Sequence, residues 1–297
     1  MAAKRGATGR RLELGIQLRR LRENCPSVEE DRSKGMTRRE AVRGLRDISE
    51  PTLARIELGE LNFRRNVGNL RTLLKRYGVT DPALVEQLVE LNREAPNEDW
   101  MTRYRSFMPT GMPHYVGLEA EASAITAYHP TVVYGLVQTE AYAKAIFEME
   151  RPVEDTTGEF IKRNVELRME RKRRVLNRED PARLRVIIGE AALQNPVGEP
   201  DVMREQYEEI IRLAREDQVS IQVIPFRRGY RSITDFTILA LGDLPSRVQV
   251  DNGWGAISTS DKPREVERFE RRFNAMAGVA LGVEESIEFV SELAREQ

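Results

Sequence analysis

Cysteine and histidine are nearly absent from this chain of 297 residues, which contains one cysteine and two histidines. Cys25 has no second cysteine with which to form an internal disulfide, and no CxxC or Cys/His cluster suited to a metal occurs. His114 and His129 lie outside any HExxH or HxH pattern, so we expect surface or packing roles for both. The GxSxG, GxGxxG and Walker phosphate-loop motifs are absent as well. The sequence therefore predicts a protein that is not an enzyme and that holds no metal or other cofactor.

Long hydrophobic runs are also absent. No apolar stretch approaches the roughly 20 residues that a membrane-spanning helix needs. The basic start MAAKRGATGRR is not followed by a hydrophobic signal segment. We therefore expect a soluble, cytoplasmic protein that makes no membrane contact.

Charge is abundant but unevenly distributed along the chain. Residues 1–80 contain 19 Lys and Arg against 10 Asp and Glu, whereas the whole chain has a formal net charge of only -1. A basic first part followed by an acidic remainder indicates two domains, of which only the first meets a polyanion such as DNA. A cytoplasmic protein of this kind is expected to be associated with the nucleoid.

The stretch from Met36 to Glu57 has the pattern of two short helices joined by a tight turn. Apolar residues from Met36 to Leu45 recur at helical spacing, and a second apolar stripe follows Ser49. Ser49 is a suitable N-cap, and the proline two residues later is well tolerated in a first helical turn. The second helix then leaves four polar side chains on its other face, Ser49, Glu50, Thr52 and Arg55. This layout is typical of a DNA recognition helix.

Further helices are predicted on both sides of this stretch. Residues 1–11 are expected to be a flexible tail, followed by a helix from Leu12 to Asn24 and a surface loop over residues 25–35. Two more helices follow, the first after Arg64 and Arg65 and the second after Asp81. Because phosphates bind helix N-termini and arginine forks, Arg64 and Arg65 are candidate phosphate contacts. A solvated arginine pair is the alternative.

This five-helix order resembles the lambda-repressor-like domain of xenobiotic-response-element regulators. The recognition-helix pattern of that family is matched by Ser49, Thr52, Leu53, Ala54, Arg55, Ile56, Glu57 and Gly59. Arg38 stands where the family usually has a phosphate-contacting Gln, and is a further candidate DNA contact. The turn Leu45 to Ile48 departs from the family because it is longer and lacks the usual glycine. Glu57 lies at the end of the helix, where we expect it to pair internally with an arginine rather than to contact a base.

The remaining chain is predicted to be a separate α+β domain. Residues 96–114, rich in proline and aromatic residues, are interpreted as a linker between a DNA-binding domain at 1–95 and a regulatory and dimerisation domain at 115–297. LEAEASAITAY is predicted to be helical. RLRVIIG, VSIQVIPF, DFTILAL and SRVQVD are short β-branched runs typical of strands, and amphipathic helices flank them. The fold class is thus all-α followed by α+β with one mixed sheet flanked by helices.

This second domain resembles the large C-terminal domain of WhiJ-type actinobacterial regulators. The resemblance is carried by LEAEASAITAYHPTVVYGLVQTEAYAKAI and by several later segments in the same order. It implies cooperation with a small protein encoded nearby, in an antitoxin-like arrangement. The two-fold symmetry of typical operators further predicts a homodimer on double-stranded DNA.

Candidate contacts for a partner or a ligand occur at two places in the second domain. Tyr134 and Gln138 lie in the run after the predicted helix, where Val133, Tyr134 and Leu136 could line an effector pocket. Arg227, Arg228, Tyr230 and Arg231 could hold an acidic partner or a ligand carboxylate, or could form a basic hairpin at the edge of the sheet. The basic helix RNVELRMERKRRVLNRED is expected to be solvated through i,i+4 pairs, and Glu119 with Glu121 is expected to be exposed. The predicted function is a sequence-specific transcriptional regulator controlled by a partner protein, or alternatively by a small molecule.

Overall fold

The computed structural model describes residues 6–27, 35–64, 66–95, 100–152, 156–228, 234–251 and 257–296. The chain divides into two compact units, Met1–Thr102 and Arg103–Gln297. The described part of the first unit is helical, and the second unit combines helices with one six-stranded mixed sheet. The predicted fold class is confirmed.

The described part of the first unit contains five helices. They are α1 (Ala7–Asn24), α2 (Arg38–Val42), α3 (Glu50–Glu57), α4 (Val67–Arg76) and α5 (Pro82–Arg93). Side-chain oxygens of Thr37, Ser49, Asn66 and Asp81 accept a backbone N–H in the first turn of α2 to α5, so each start is fixed by a residue of N-cap type. The apolar faces of the five helices share one core, which includes Leu14, Leu18, Leu53, Ile56, Leu70, Leu73 and Leu88.

The first helix begins earlier than the sequence predicts. α1 starts at Ala7, so the flexible-tail prediction is wrong for residues 7–11. Arg11 explains the difference because its side chain is buried in the unit and donates hydrogen bonds to the Thr8 hydroxyl (2.8 Å) and to the Gly59 carbonyl (3.4 Å). Arg11, which looks solvated in the sequence, thus connects the start of α1 to Gly59, the second residue after α3.

Glycines allow α1 and the segment of α3 to approach each other closely. A Cβ atom on Gly15 would contact the Ile56 carbonyl oxygen and would lie 2.7 Å from that of Glu57. A Cβ atom on Gly59, which has φ +79°, would lie 2.6 Å from the Leu12 Cα atom. Backbone atoms of α1 and of the α3 segment therefore pack with no side chain between them at these two positions.

The second unit contains seven further helices and six strands among its described residues. The helices are α6 (Met112–Glu121), α7 (Glu140–Met149), α8 (Gly158–Leu176), α9 (Glu190–Gln194), α10 (Pro200–Ala214), α11 (Pro263–Val279) and α12 (Val283–Glu296). The strands are β1 (Ala124–His129), β2 (Arg183–Gly189), β3 (Val219–Ile224), β4 (Phe236–Leu241), β5 (Leu244–Asp251) and β6 (Ile257–Ser260). Short 3₁₀ turns lie at Thr102–Phe107 and Phe226–Arg228.

The sheet has the order β3-β2-β1-β4-β5-β6. Strands β1, β2 and β3 are parallel, and β4, β5 and β6 pair antiparallel from β1 outwards. Helices connect the parallel strands, as parallel pairing requires a crossover. The carboxyl end of β1 consequently lies beside the start of β4 and the end of β5.

The central strand β1 was not predicted from the sequence. LEAEASAITAY was interpreted as one helix, but α6 ends at Glu121 and Ala124–His129 forms a strand that pairs with β2 and β4 on its two sides. Ile125 and Ala127 are fully buried in this strand. Pairing to two neighbours outweighs the helix-favouring alanines of the segment.

The two faces of the sheet differ in polarity near β4 and β5. On one face Tyr128, Phe236 and Val248 pack against Phe273 and Met276 of α11. The alternating residues point to the other face and include three almost fully buried polar side chains, Thr237, Arg247 and Gln249. Burial of polar groups is costly unless partners are provided, so this second face is where a polar site is expected.

Candidate nucleic-acid interface and buried polar cluster

The predicted recognition helix presents its polar residues to solvent. Leu53 and Ile56 are buried, whereas Ser49, Glu50 and Arg55 are exposed and Thr52 is half-buried. The Ser49 hydroxyl accepts the Thr52 N–H (3.3 Å) and lies 2.9 Å from the Thr52 hydroxyl, as predicted for an N-cap. Arg55 pairs with Glu60 (2.9 Å) and is 57% exposed, so this pair contributes little stability and its guanidinium is accessible.

The structure orients Arg38 through a buried carboxylate. Both oxygens of Glu57 accept from Arg22 (2.6 and 3.0 Å), and Oε2 also accepts from Arg38 Nε (2.8 Å). Glu57 is 1% exposed, whereas Arg38 is 34% exposed at its side chain. The predicted internal pairing of Glu57 with an arginine is confirmed. Arg38 thus has one N–H held inside the unit and the rest of its fork at the surface.

The turn between α2 and α3 differs from the sequence interpretation. α2 ends at Val42, so Leu45 lies outside the helix, and the turn contains Gly44 with φ +70°. The statement that the turn lacks its glycine is therefore wrong. Asp47 adopts φ +62°, which is the left-handed conformation that aspartate tolerates better than most residues. The turn is anchored from α4, where Asn69 Nδ2 donates to the Arg46 carbonyl (2.7 Å).

Three exposed arginines near the turn were missed by the sequence analysis. Arg39 on α2 and Arg43 and Arg46 in the turn are exposed, and they accompany the half-buried Arg38. The sequence signal that could have identified them is their position between the apolar residues of α2 and α3, because helical periodicity leaves such positions on the surface. Basic side chains in this place suit contacts with phosphates on either side of a groove.

Arg64 precedes α4 and is exposed, with φ +50°. Its N–H donates to the Asn62 side chain (2.9 Å), which fixes the unusual backbone. Arg65 lies outside the described residues. The prediction that Arg64 and Arg65 contact phosphates therefore stays a prediction.

In the second unit, Tyr134 and Gln138 are interior residues, each 2% exposed. The Tyr134 hydroxyl donates to Glu119 (3.1 Å), and Gln138 accepts from Arg168 (2.5 Å) and donates to the Val133 carbonyl (2.6 Å). Val133 and Leu136 are buried as well. The segment expected to line a pocket is thus part of the core, and its polar groups already have partners within the unit.

Glu119 is the centre of this buried cluster, so the expectation that it is solvated is wrong. It is fully buried and accepts hydrogen bonds from Arg171 Nε (2.8 Å), Arg171 Nη2 (2.9 Å), the Tyr115 hydroxyl (2.7 Å) and the Tyr134 hydroxyl. A partner 52 residues away on α8 has no local sequence signal. Both oxygens of the carboxylate are therefore supplied with hydrogen-bond donors inside the unit.

The basic helix α8 combines exposed and buried arginines. Arg163 pairs with Glu159 (2.7 Å) and Glu166 (3.2 Å), and Arg173 pairs with Glu170 (2.7 Å), which confirms the predicted local pairing for the exposed side. Arg171, however, is only 6% exposed at its side chain. The interpretation of the whole helix as solvated is therefore wrong on its inner side.

His129 has a packing role at the end of β1. Its ring stacks on Tyr134 with 4.6 Å between centroids, and its Nδ1 atom lies 3.8 Å from Asp235. Burial, together with the charges of Arg171 and Arg168, lowers the pKa of His129 to about 3. Burial and the neighbouring Asp251 raise the pKa of Asp235 to about 6. The histidine is therefore neutral at physiological pH.

The second predicted contact region is only partly described. Arg227 and Arg228 are exposed in the 3₁₀ turn that follows the edge strand β3, whereas Tyr230 and Arg231 lie outside the described residues. Among the residues that the structure describes, no group of three or more His, Cys, Asp or Glu side chains is arranged to hold a metal ion. None of the helices described has the length and apolar character needed to cross a membrane.

Comparisons with known families agree with this division of the chain. Residues 13–88 match the model of a helix-turn-helix domain, and residues 112–292 match a domain of unknown function, DUF5753. Searches of curated proteins and of solved structures gave no match. A helix-turn-helix domain followed by this larger domain is the architecture of a DNA-binding regulator. The chain belongs to the DUF5753 family.

Proposed function

We propose that this protein is a sequence-specific transcriptional regulator in which α3 enters the major groove of double-stranded DNA. The observation that carries the proposal is the division of α3 into a buried apolar face and an exposed polar face, with exposed arginines before and after the helix. In this arrangement Ser49, Glu50, Thr52 and Arg55 contact base edges, which supply specificity.

Phosphate contacts are assigned to the basic residues around α3. Arg38, Arg64 and Arg65 are the contacts proposed from the sequence, and the exposed Arg39, Arg43 and Arg46 extend the set. Phosphate contacts fix the register of the protein on the duplex and account for the salt dependence of binding. Glu57 positions Arg38 for this role because it holds the Nε atom from inside the unit.

A gel-shift series at fixed salt, on an operator selected from random DNA, tests the recognition helix. Thr52→Ala and Arg55→Ala should each weaken operator binding by about 1–3 kcal/mol and relax specificity at the contacted position. Arg93→Ala on α5 is the matched control, because Arg93 is also 57% exposed and is also paired with a glutamate. Equal affinities for wild type, Thr52→Ala and Arg55→Ala would show that α3 is not the recognition helix.

Arg38→Ala separates a phosphate contact from a base contact. We expect it to weaken binding to all sequences alike and to lower the slope of log affinity against log salt by about one. A change of sequence preference with an unaltered salt slope would contradict the phosphate assignment.

The proposed regulator acts as a homodimer, because one small helix-turn-helix unit contacts only one half-site and a two-fold pair doubles the contacts. Multi-angle light scattering at micromolar concentration, with and without operator, measures the mass directly. A monomer under both conditions would exclude the homodimer.

Control through the second unit is proposed to involve a small acidic protein encoded nearby, as the resemblance to WhiJ-type regulators suggests. The exposed Arg227 and Arg228 are candidate contacts, with Tyr230 and Arg231. Co-purification tests these contacts. The product of the adjacent reading frame is co-expressed with the wild type, with the double variant Arg227→Glu/Arg228→Glu and with the control Arg204→Glu, and its recovery is compared. Arg204 is an exposed arginine of α10. Equal recovery of the small protein with all three would remove these arginines from the interface.

A small-molecule effector is the second candidate, and the charged cluster around Tyr134 and Gln138 favours it. Interiors normally contain few ionised groups, so a cluster of this kind needs a reason. A ligand that binds only the folded protein raises its unfolding temperature.

A further inference from the structure

Gly135 is a glycine at a position where the backbone conformation does not require one. It has no positive φ, unlike Gly44 or Gly59. A Cβ atom built on it would find its three nearest heavy atoms, Arg168 Nε and the two terminal nitrogens of Arg171, all at 3.9 Å. A Cβ atom there would make ordinary van der Waals contacts, so the position beside Gly135 can admit a single atom that faces the two guanidinium groups.

The two arginines have different charge partners. Arg171 is compensated by Glu119, to which it donates two hydrogen bonds. Arg168 donates Nη1 to the neutral Gln138 and lies over the Phe147 ring, 4.8 Å from its centroid. Within the described residues no carboxylate lies within 4 Å of Arg168. One positive charge in this cluster is therefore left without a nearby negative charge.

Hydrogen-bond donors also remain unused beside Gly135. Within the described part of the chain, neither Arg168 Nε nor Arg171 Nη1 has a hydrogen-bond acceptor. These are two of the three atoms that face the missing Cβ position. Arg168 is only part-buried, so guanidinium donors that have no protein acceptor here are open to an anion from solution.

Burial and the charges of Arg168 and Arg171 also shift the pKa values of neighbouring groups. After burial itself, Arg171 and Arg168 are the causes that lower the pKa of His129 to about 3. Burial and repulsion by Arg171 lower the pKa of Arg168 to about 10. Asp251 is a further carboxylate that interacts with Arg171, but the two form no ion pair within 4 Å.

The place of Gly135 in the fold is also suited to a ligand. It belongs to the segment that follows β1, at the carboxyl edge of the parallel strands β1, β2 and β3. Open sheets with parallel strands bind ligands at this edge. The Nε2 atom of His129, the last residue of β1, is buried there without a hydrogen-bond partner among the described residues.

We propose that Gly135, Arg168 and Arg171 form a binding site for a small oxyanion, namely the carboxylate or phosphate group of a small molecule. One oxygen of the oxyanion lies against Gly135, accepts from Arg168 Nε and Arg171 Nη1, and supplies a negative charge beside Arg168. Binding of the oxyanion does not depend on the proposed DNA-binding function. Only the inference that the oxyanion regulates DNA binding rests on that proposed function.

The full-length protein is tested by calorimetry and thermal unfolding with sodium phosphate, sodium acetate and sodium chloride at equal ionic strength. We expect phosphate or acetate, but not chloride, to raise the unfolding temperature of the wild type. Preference for phosphate over acetate, or the reverse, identifies the oxyanion. No difference between the three salts would overturn the proposal.

Three variants locate the bound anion. Gly135→Ala fills the space with an ordinary contact, and Arg168→Gln removes the uncompensated charge while retaining an amide. Each should reduce affinity at least about tenfold, the loss of one charge-assisted hydrogen bond. Arg163→Gln, which alters a 37% exposed arginine of the same helix, should bind as the wild type does.

The basic surface of the first unit is a possible competitor for phosphate, so Arg38→Ala is included. Anion binding that persists in Arg168→Gln but is lost in Arg38→Ala would place the anion on the first unit and overturn the proposal. Unchanged affinity in both Gly135→Ala and Arg168→Gln would do the same. If Gly135→Ala does not fold, the anion affinity of Arg168→Gln alone tests the proposal. Operator binding measured with and without the anion then reports separately on regulation.

Discussion

Among the described residues, each compact unit buries a glutamate that pairs with arginine, Glu57 in the first and Glu119 in the second, and the two differ in how many arginines share the carboxylate. In the first unit Glu57 is shared by Arg22 and Arg38, so a single carboxylate accepts hydrogen bonds from two guanidinium groups. Arg38 stays one-third exposed. This carboxylate thus connects the interior of the unit to an arginine at its surface.

The second unit uses its glutamate differently. Glu119 accepts from Arg171 and two tyrosines, and no carboxylate of the described residues lies within 4 Å of Arg168 beside it. Buried ion pairs add little net stability when complete but are expensive to leave incomplete. The shared carboxylate of Glu57 therefore suits the positioning of Arg38, whereas Arg168 supports the proposed oxyanion site.

The largest expected effect is on Glu119. Glu119→Gln leaves Arg171 buried without its counter-charge, and breaking such a pair costs about 3–5 kcal/mol. Urea unfolding followed by circular dichroism measures the loss. Glu148→Gln, at a half-exposed i,i+4 pair on α7, should cost under about 1 kcal/mol. Equal stabilities for the two variants would show that Glu119 is not the electrostatic centre of the unit.

Glu57→Gln should have the next largest effect, of about 2–3 kcal/mol, because one of its two arginines can recover water at the surface. Operator affinity should fall as well, even at temperatures where the variant is folded, since Arg38 loses the group that orients it. Unfolding and gel-shift titration of the same sample separate the two losses. If Glu57→Gln binds DNA with wild-type affinity, Glu57 does not position Arg38 for DNA binding.

Acidification tests the burial of His129 beside Arg171 and Arg168. The unfolded chain binds a proton at His129 below a pKa of about 6.5, whereas the folded chain does so only near 3. Stability from this group is therefore lost as pH falls from 6.5, by about 2 kcal/mol between pH 6.5 and 5. Unfolding of wild type and His129→Gln at both pH values should show a shallower loss in the variant.

Asp235 gives the opposite sign and serves as the control for that experiment. Its pKa of about 6 in the folded protein is raised above the ordinary value, so its contribution is lost as pH rises through 6 and is regained on acidification. Asp235→Asn should therefore lose more stability than the wild type between pH 6.5 and 5. Parallel curves for all three proteins would contradict both pKa shifts.

The smallest effect is expected for Arg168→Gln in the absence of any oxyanion. It removes a hydrogen bond and a contact with the Phe147 ring but also a part-buried charge that has no carboxylate within 4 Å among the described residues, so the net change should be within about 1 kcal/mol. Arg22→Gln, at the compensated glutamate of the first unit, should cost clearly more. A severe loss of stability in Arg168→Gln would mean that this arginine is a structural residue.

The elements that the sequence predicted well are those with strong local patterns. α3 was predicted because its apolar stripe and its N-cap Ser49 are adjacent in sequence, and strands such as Phe236–Leu241 because β-branched runs stand between turn residues. The partner type of Glu57 was predictable for the same local reason, since it lies at the buried end of a short helix.

The misses arise where distant parts of the chain decide the outcome. Ala124–His129 directly follows the helical residues of α6 and was interpreted as part of the same helix, whereas it forms a strand that pairs with β2 and β4. The Glu119 to Arg171 pair joins residues 52 apart, and Arg168 looks like any other basic residue of an amphipathic helix. Local periodicity contains no information about such pairs, so the cluster required the structure.

The close approach of α1 to the α3 segment at Gly15 and Gly59 bears on the control of the proposed DNA binding. Because backbone packs directly against backbone at these two positions, a tilt or slide of α3 requires α1 to move with it. In the proposed homodimeric regulator we therefore expect control to act by exposing or covering the helix-turn-helix domain as a whole, or by changing the spacing between two such domains on one operator.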